Sequence, residues 1–266
     1  MAGSDSGGGA GIQADLKAFA RCGVHGTSAI TAITAQNTLG VSAIHALPAE
    51  IVMAQVRAVL SDIRVDAVKV GMLGTVEVTL AVAAALDELP AATPVVVDPV
   101  MVAESGARLL AADAQRALVE EILPRASVLT PNMPEARALV GREPAGADEP
   151  DAEANALARA VLALGPRAVV LTGGHRARAV DLFLDSAGES APVEIDGPRH
   201  PGGATHGSGC THSSVLAAQL ALGHTPLEAA RTARSLAGAA VAAGLRDIGE
   251  GAGPVDVIDL PRMRRC

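Results

Sequence analysis

Thr205-His206-Gly207-Ser208-Gly209-Cys210-Thr211-His212 runs straight into an apolar, alanine-rich segment, residues 213–222, whose pattern predicts a helix. Small residues ahead of a helix leave a row of backbone N–H groups uncovered, and the positive end of the helix dipole lies behind them. Gly207, Ser208 and Gly209 therefore offer a place for an anion. Cys210 sits at the mouth of that cradle, where a helix N-terminus is expected to lower a thiol's pKa. Backbone donors beside an ionisable group suit phosphoryl transfer: charge spreads over the equatorial oxygens while a base takes the proton of the attacking hydroxyl. The same residues also fit a tight glycine turn with Cys210 as a small buried hydrophobe. A metal site built from His206, Cys210 and His212 fits less well, because no second Cys or carboxylate stands at a ligand spacing.

Upstream of this loop, residues 179–185 and 191–196 read as an antiparallel hairpin at a sheet edge. Before them, strands over 24–34, 67–73, 93–99, 127–130 and 167–171 alternate with helices over 48–62, 75–89, from Pro134, and over 151–164. Near-continuous apolar strands, each followed by a helix, predict a parallel sheet covered on both faces. Downstream, a helix over 226–243 closes the pattern. Residues 141–150 are the most linker-like, but ten residues make a surface loop rather than a boundary, so residues 1–266 are expected to form one α/β domain.

Composition narrows the partners. Two Phe, Phe19 and Phe183, and no Trp or Tyr mean that a planar ligand must be sandwiched largely by aliphatic, Met or backbone surfaces. A formal net charge of −8 argues against nucleic acid and anionic membranes, and the short basic cluster Arg262, Arg264, Arg265 does not reverse that. The apolar run 78–86 is closed by Glu77 and Asp87, well short of a membrane span, and the start carries no cleavable signal pattern, so a cytoplasmic location is expected. Cys22, Cys210 and Cys266 are odd in number and far apart, which offers no disulfide framework.

Two further stretches carry chemistry. Residues 1–11 are glycine-rich and lead into an amphipathic helix with Ile12, Leu16 and Phe19 on one face. They lack the Lys-Ser/Thr of a P-loop, and their glycines let backbone close over a ligand. The strand over 24–34 ends in Ala35-Gln36-Asn37-Thr38, where open α/β sheets bind ligands, and the Gln36 amide can bond both a donor and an acceptor on a heterocycle edge. Asn132-Met133-Pro134-Glu135 reads two ways. An amide and a carboxylate at i and i+3 can hold hydrated Mg²⁺ near phosphates, and Asn-x-x-Glu with Pro in the first turn is also a helix capping box.

Taken in order, Ala2-Gly3-Ser4-Asp5-Ser6-Gly7-Gly8-Gly9-Ala10-Gly11-Ile12-Gln13-Ala14-Asp15, Thr31-Ala32-Ile33-Thr34-Ala35-Gln36-Asn37-Thr38, Lys69-Val70-Gly71-Met72-Leu73, Asp98-Pro99-Val100-Met101, Thr130-Pro131-Asn132-Met133-Pro134-Glu135-Ala136, Gly173-Gly174-His175 and His206-Gly207-Ser208-Gly209-Cys210-Thr211 resemble the hydroxymethylpyrimidine/phosphomethylpyrimidine kinases of thiamine biosynthesis. That family belongs to the ribokinase-like superfamily, whose sugar kinases carry Asp where this chain has Cys210. The resemblance covers nearly the whole chain. It implies a three-layer αβα sandwich with a mostly parallel central sheet, and ATP-dependent phosphorylation of 4-amino-5-hydroxymethyl-2-methylpyrimidine and then of its monophosphate. It further implies that Gly207, Ser208, Gly209 and Cys210 form the catalytic anion hole, with Cys210 nearest the reacting hydroxyl. Gln36 would bond the pyrimidine edge, Ala10, Thr34, Met72 and Val100 would line its faces, and Asp15 would lie near the substrate. Asn132, Thr172 and Gly174 would face ATP, Asp98 and Glu135 would hold Mg²⁺, and the chain would be a homodimer.

Three departures from the family pattern stand out. Thr172 and Glu104 occupy places where the family often has Lys near the phosphates, which weakens ATP binding unless Arg176 or Arg178 substitutes. Family members also begin with an apolar strand before Ala-Gly-Ser-Asp, of which Met1-Ala2 is what remains here, so the first strand is expected to be truncated. Pyridoxal kinase is the alternative within the fold, and a nucleotide-binding homologue with weakened turnover is the alternative outside catalysis.

Overall fold

Val95-Val96-Val97 shows how the layers arise: Val95 and Val97 pack on one side of the sheet, Val96 on the other, and all three are buried. A strand buried on both faces needs helices on both faces. The computed structural model describes residues 1–103, 106, 109–143, 151–173, 179–187 and 191–261. Its strands are β1 (Ala2–Asp5), β2 (Ile30–Gln36), β3 (Val41–Ala46), β4 (Val68–Val70), β5 (Val95–Val97), β6 (Val128–Leu129), β7 (Ala168–Leu171), β8 (Asp181–Asp185) and β9 (Val193–Ile195). Its helices are α1 (Gly11–Arg21), α2 (Ala49–Leu60), α3 (Val76–Asp87), α4 (Ala112–Ala117), α5 (Met133–Leu139), α6 (Asp151–Leu162), α7 (Ser208–Ala221) and α8 (Pro226–Ala242).

Six strands pair in the order β4-β5-β6-β7-β8-β9, with β4 to β7 parallel and β8 and β9 antiparallel. Helices α2 to α6 cover one face through Val52, Val82, Ala114, Ala136 and Leu157, whereas α1, α7 and α8 cover the other through Ala18, Leu216 and Ala230. The alternation of strand and helix thus yields the expected three layers, with the β8–β9 hairpin at the edge.

The sheet is in two parts rather than one. Strands β1, β2 and β3 form a separate three-stranded sheet, β1 parallel to β2 and β3 antiparallel to it. Met1 is one hydrogen-bonded link between the parts: its amine donates to the Lys69 carbonyl (2.8 Å) and its carbonyl accepts from Gly71 N–H (2.9 Å), while Thr31 Oγ1 donates to the Met72 carbonyl (2.6 Å). More of the first strand forms than the remnant expected, since Ala2–Asp5 pairs along β2. Beside Met1 lies a cavity of about 260 Å³ with a mixed, mainly apolar lining. Residues 24–29 and 63–69 form its walls, and Ile12, Leu16, Phe19, Val56 and Ala217 its floor.

Other boundaries also move. Residues 24–29 are irregular, and the strand expected to begin there starts at Ile30. Helix α7 begins at Ser208, five residues before the apolar run that announced it, because Gly207 caps it in the left-handed region at φ +82°. Strand β3 follows a turn in which the Asn37 side chain accepts from Leu39 and Gly40 N–H.

The cavity generates a test. An apolar extension of about five residues ahead of Met1, matched to the length of the walls, should enter as an interior strand and raise the thermal midpoint. An unchanged midpoint, with the extension open to protease, would show that the cavity does not take a strand.

Candidate active site

Asp5 ends β1 and is 3% exposed, with its carboxylate directed at the two glycine-rich loops. Its carboxylate accepts from Gly7 N–H (2.8 Å), Gly9 N–H (3.0 Å) and Ala10 N–H (2.8 Å), and meets His206 Nε2 at 2.9 Å. Burial pushes its pKa up, but the His206 bond and the backbone donors outweigh this and hold it below the usual carboxylate range. The N-terminal loop is thereby tied to the Gly207–Cys210 loop, two hundred residues away in the chain. A side chain on Gly207 would put its Cβ 1.7 Å from the Gly9 carbonyl oxygen, so the loops meet backbone on backbone.

This contact aims two helix N-termini at one point. Gly11 opens α1 and Ser208 opens α7, and the Gly11 N–H donates to the Cys210 thiol. Ser208 N–H closes a turn on the Thr205 carbonyl (2.9 Å), whereas Gly209, next in the first turn, is exposed. The expected lowering of the Cys210 pKa is reversed. Burial pushes the half-buried thiol up to about 12, with Asp98 and Asp15 adding to the shift, and Lys69 and the Gly11 donor only partly oppose it. At neutral pH the resting group is a thiol.

Beneath Cys210 lies a buried charge cluster. Lys69 Nζ is 2.9 Å from Asp15 Oδ1 and 3.8 Å from Asp98 Oδ2. Ser214 Oγ donates to Asp15 (2.7 Å) and Ser213 Oγ to Asp98 (3.0 Å). Burial alone would lower the Lys69 pKa, but its anionic neighbours raise it. Asp15, expected beside the substrate, is 4% exposed and commits its carboxylate to this cluster. Breaking such a pair from one side costs about 3–5 kcal/mol. Lys69 was not singled out from the sequence. A lysine inside Val68-Lys69-Val70 is nevertheless a signal, since a charge on a buried strand requires a partner.

The remaining candidates sit at strand ends. Thr34 Oγ1 lies 3.0 Å from both the Ser4 carbonyl and Gln36 Oε1, and Ser6 exchanges hydrogen bonds with the Gln36 backbone. Met72 and Val100 share one apolar cluster with Ala32 and Leu109, and Ala10 caps α1. Asn132 and Glu135 do form the capping box of α5, with reciprocal bonds of 2.9 Å. Thr172 bridges to Asn132, its N–H donating to the Pro131 carbonyl (2.9 Å). Glu135 is pushed up to about 8, by burial first and then by the Asp98 charge. Gly174, Glu104, Arg176 and Arg178 lie outside the described residues. His206 turns to Asp5 and His212 to Asp181, and no group of three or more metal-ligating side chains occurs among the described residues.

Residues 5–256 match the family model described as phosphomethylpyrimidine kinase. The chain belongs to that kinase family. Hydroxymethylpyrimidine/phosphomethylpyrimidine kinases of Rhizobium meliloti and Haemophilus influenzae are 49% and 44% identical to it, each aligned over 96% of this chain and 94% of the relative. A crystal structure of phosphomethylpyrimidine kinase from Clostridium difficile matches at TM-score 0.74 and 38% identity, over 87% of this chain and 93% of that one. An ADP complex of Bacillus subtilis pyridoxal kinase matches at TM-score 0.82 and 35% identity, over 96% and 94%. The kinase has no described helix long and apolar enough to cross a membrane.

Glu135 sets a pH dependence of stability. Its folded pKa lies above the unfolded value of 4.5, so the folded kinase holds the proton more tightly. That stabilisation is full below about pH 4.5 and is lost as pH rises through about 8. The urea midpoint in metal-free buffer should therefore fall across this window, and Glu135→Gln should flatten the fall. Equal slopes in the two proteins would place the titration elsewhere.

Proposed function

We propose that the chain, as one kinase domain over residues 1–266, transfers the γ-phosphoryl group of ATP to the hydroxymethyl oxygen of 4-amino-5-hydroxymethyl-2-methylpyrimidine. It then phosphorylates the monophosphate to the diphosphate, for thiamine biosynthesis. The observation that carries this reading is the convergence of the α1 and α7 N-termini on Cys210, within a chain of the phosphomethylpyrimidine kinase family. Amides there are aimed at charge that develops in transfer.

Gln36, held by Thr34 and Ser6, orients the pyrimidine edge, and Ala10, Thr34, Met72 and Val100 bound its faces. The hydroxyl oxygen attacks the γ-phosphorus, the bond to the β-bridging oxygen breaks, and ADP leaves. The hydroxyl proton passes to the Cys210 sulfur when it is a thiolate. Asn132 and Thr172, adjacent at the ends of β6 and β7, face the nucleotide. Asp98 and Glu135 fit a cation, because Asp98 is buried, burial raises both carboxyl pKa values, and the Asp98 charge raises that of Glu135 further. They would hold Mg²⁺, which when bound neutralises phosphate charge. A homodimer is proposed over the exposed outer face of β2 and β3 at Ile33, Ala35 and Ala43. Light scattering reads this directly: Ile33→Glu should convert a dimer to a monomer, and a wild-type monomer would refute it.

Pyridoxal is the second substrate to assay, since several solved pyridoxal kinases superpose on the chain at TM-scores of 0.82 to 0.83. Incubation with either heterocycle, Mg²⁺ and ATP, followed by mass resolution of the products, separates the two. In the same assay Cys210→Ala should lower kcat by about two to four orders of magnitude. It should also remove the rise of kcat with pH that titration of a high-pKa thiol imposes. A loss below tenfold would leave the amide cradle as the whole device and Cys210 as packing.

A further inference from the structure

Resting on the kinase reading above, we infer that Asp181 is a positioning residue that fixes the nucleotide-side strand end at Thr172-Gly173 against the helix bearing the amide cradle. Asp181 opens β8 and is 1% exposed. Its carboxylate reaches in two directions. Oδ1 accepts the Gly173 N–H at 2.9 Å, and Oδ2 stands 3.3 Å from His212 Nε2.

His212 lies in α7 two residues after Cys210 and is itself 5% exposed. Gly173 directly follows Thr172, which bridges to Asn132. One buried carboxylate therefore ties the end of β7 to the first turns of α7. Arg234 of α8 anchors the arrangement from behind: its Nη2 donates to the Ala179 carbonyl, and its Nε is 4.0 Å from Asp181 Oδ1. Burial pushes the Asp181 pKa up, but His212, Arg234 and the Gly173 donor hold it below the usual range, so the group making the tie is a carboxylate. Gly173 permits this approach, since a Cβ there would fall 2.0 Å from the Val180 carbonyl oxygen.

Neither side of the tie is fully satisfied: Asp181 Oδ2, both His212 ring nitrogens and Arg234 Nε have poor hydrogen-bond geometry. Well-packed cores seldom retain such groups for stability alone, because apolar replacements often serve as well. Placement is the property they do control. A misplacement of about 1 Å between reacting groups costs on the order of 10²-fold in rate.

The two arms give separable readouts. Asp181→Ala frees the Gly173 amide and the helix together. It should raise the ADP dissociation constant, measured by calorimetry, at least about tenfold and lower kcat by about 10²-fold, with the pyrimidine KM within about twofold. Asp181→Asn keeps an acceptor for Gly173, so ADP affinity should stay within about threefold while kcat falls. His212→Phe cuts only the helix arm and should lower kcat about tenfold with ADP affinity unchanged. A purely structural role would depress the thermal midpoint and leave these ratios alone. If Asp181→Ala does not fold, Asp181→Asn and His212→Phe decide. The inference is overturned if ADP affinity and kcat both match the wild type in a folded Asp181 variant, or if the ADP constant and the pyrimidine KM move in parallel. Because ADP binding is read without turnover, a failure of the pyrimidine assay in the wild type remains a separate result.

Discussion

The Asp5 carboxylate is the interaction on which the site depends. Three backbone amides and one imidazole converge on two oxygens, and each partner belongs to a segment with little local structure of its own. Glycine-rich chain loses more conformational entropy on ordering than any other. A buried, multiply bonded carboxylate is strong enough to hold it. Once the two loops touch, the starts of α1 and α7 point at each other and the amide cradle exists without any side chain being aimed at the phosphate.

Electrostatics beneath the cradle oppose the cradle itself. Two helix N-termini and Lys69 favour an anion at Cys210, while Asp15, Asp98 and burial disfavour one. The second group prevails for the thiol, because burial weighs on the half-buried sulfur whereas the Gly209 backbone is exposed. One place therefore combines a neutral side chain with backbone donors suited to an anion.

The layer order and most elements were legible in the sequence because burial on both faces forces long apolar strands, and helices such as α3 and α8 announce themselves with Thr75 and Thr225 caps. The placement of Gln36, Asp98 and Asn132 at or just past the ends of β2, β5 and β6 was legible for the same reason. What escaped reading depended on contacts between distant segments. Nothing near Lys69 in the chain reveals Asp15, and nothing near Asp5 reveals His206. The start of α7 was misplaced because Ser208-Gly209-Cys210 has poor helix propensity, and only the left-handed Gly207 and its seat on Gly9 set the helix going there. The Cys210 acidity was misjudged because a dipole is visible in sequence and burial is not.

Helix α1 has two faces with different duties. Ile12, Leu16 and Phe19 look into the cavity beside Met1, while Gly11, at the head of the same helix, holds the sulfur. Residues fused before Met1 would begin beside that cavity, which Met1 itself lines. A purification handle placed there is thus no neutral ornament: it starts against the helix whose first residue holds the sulfur.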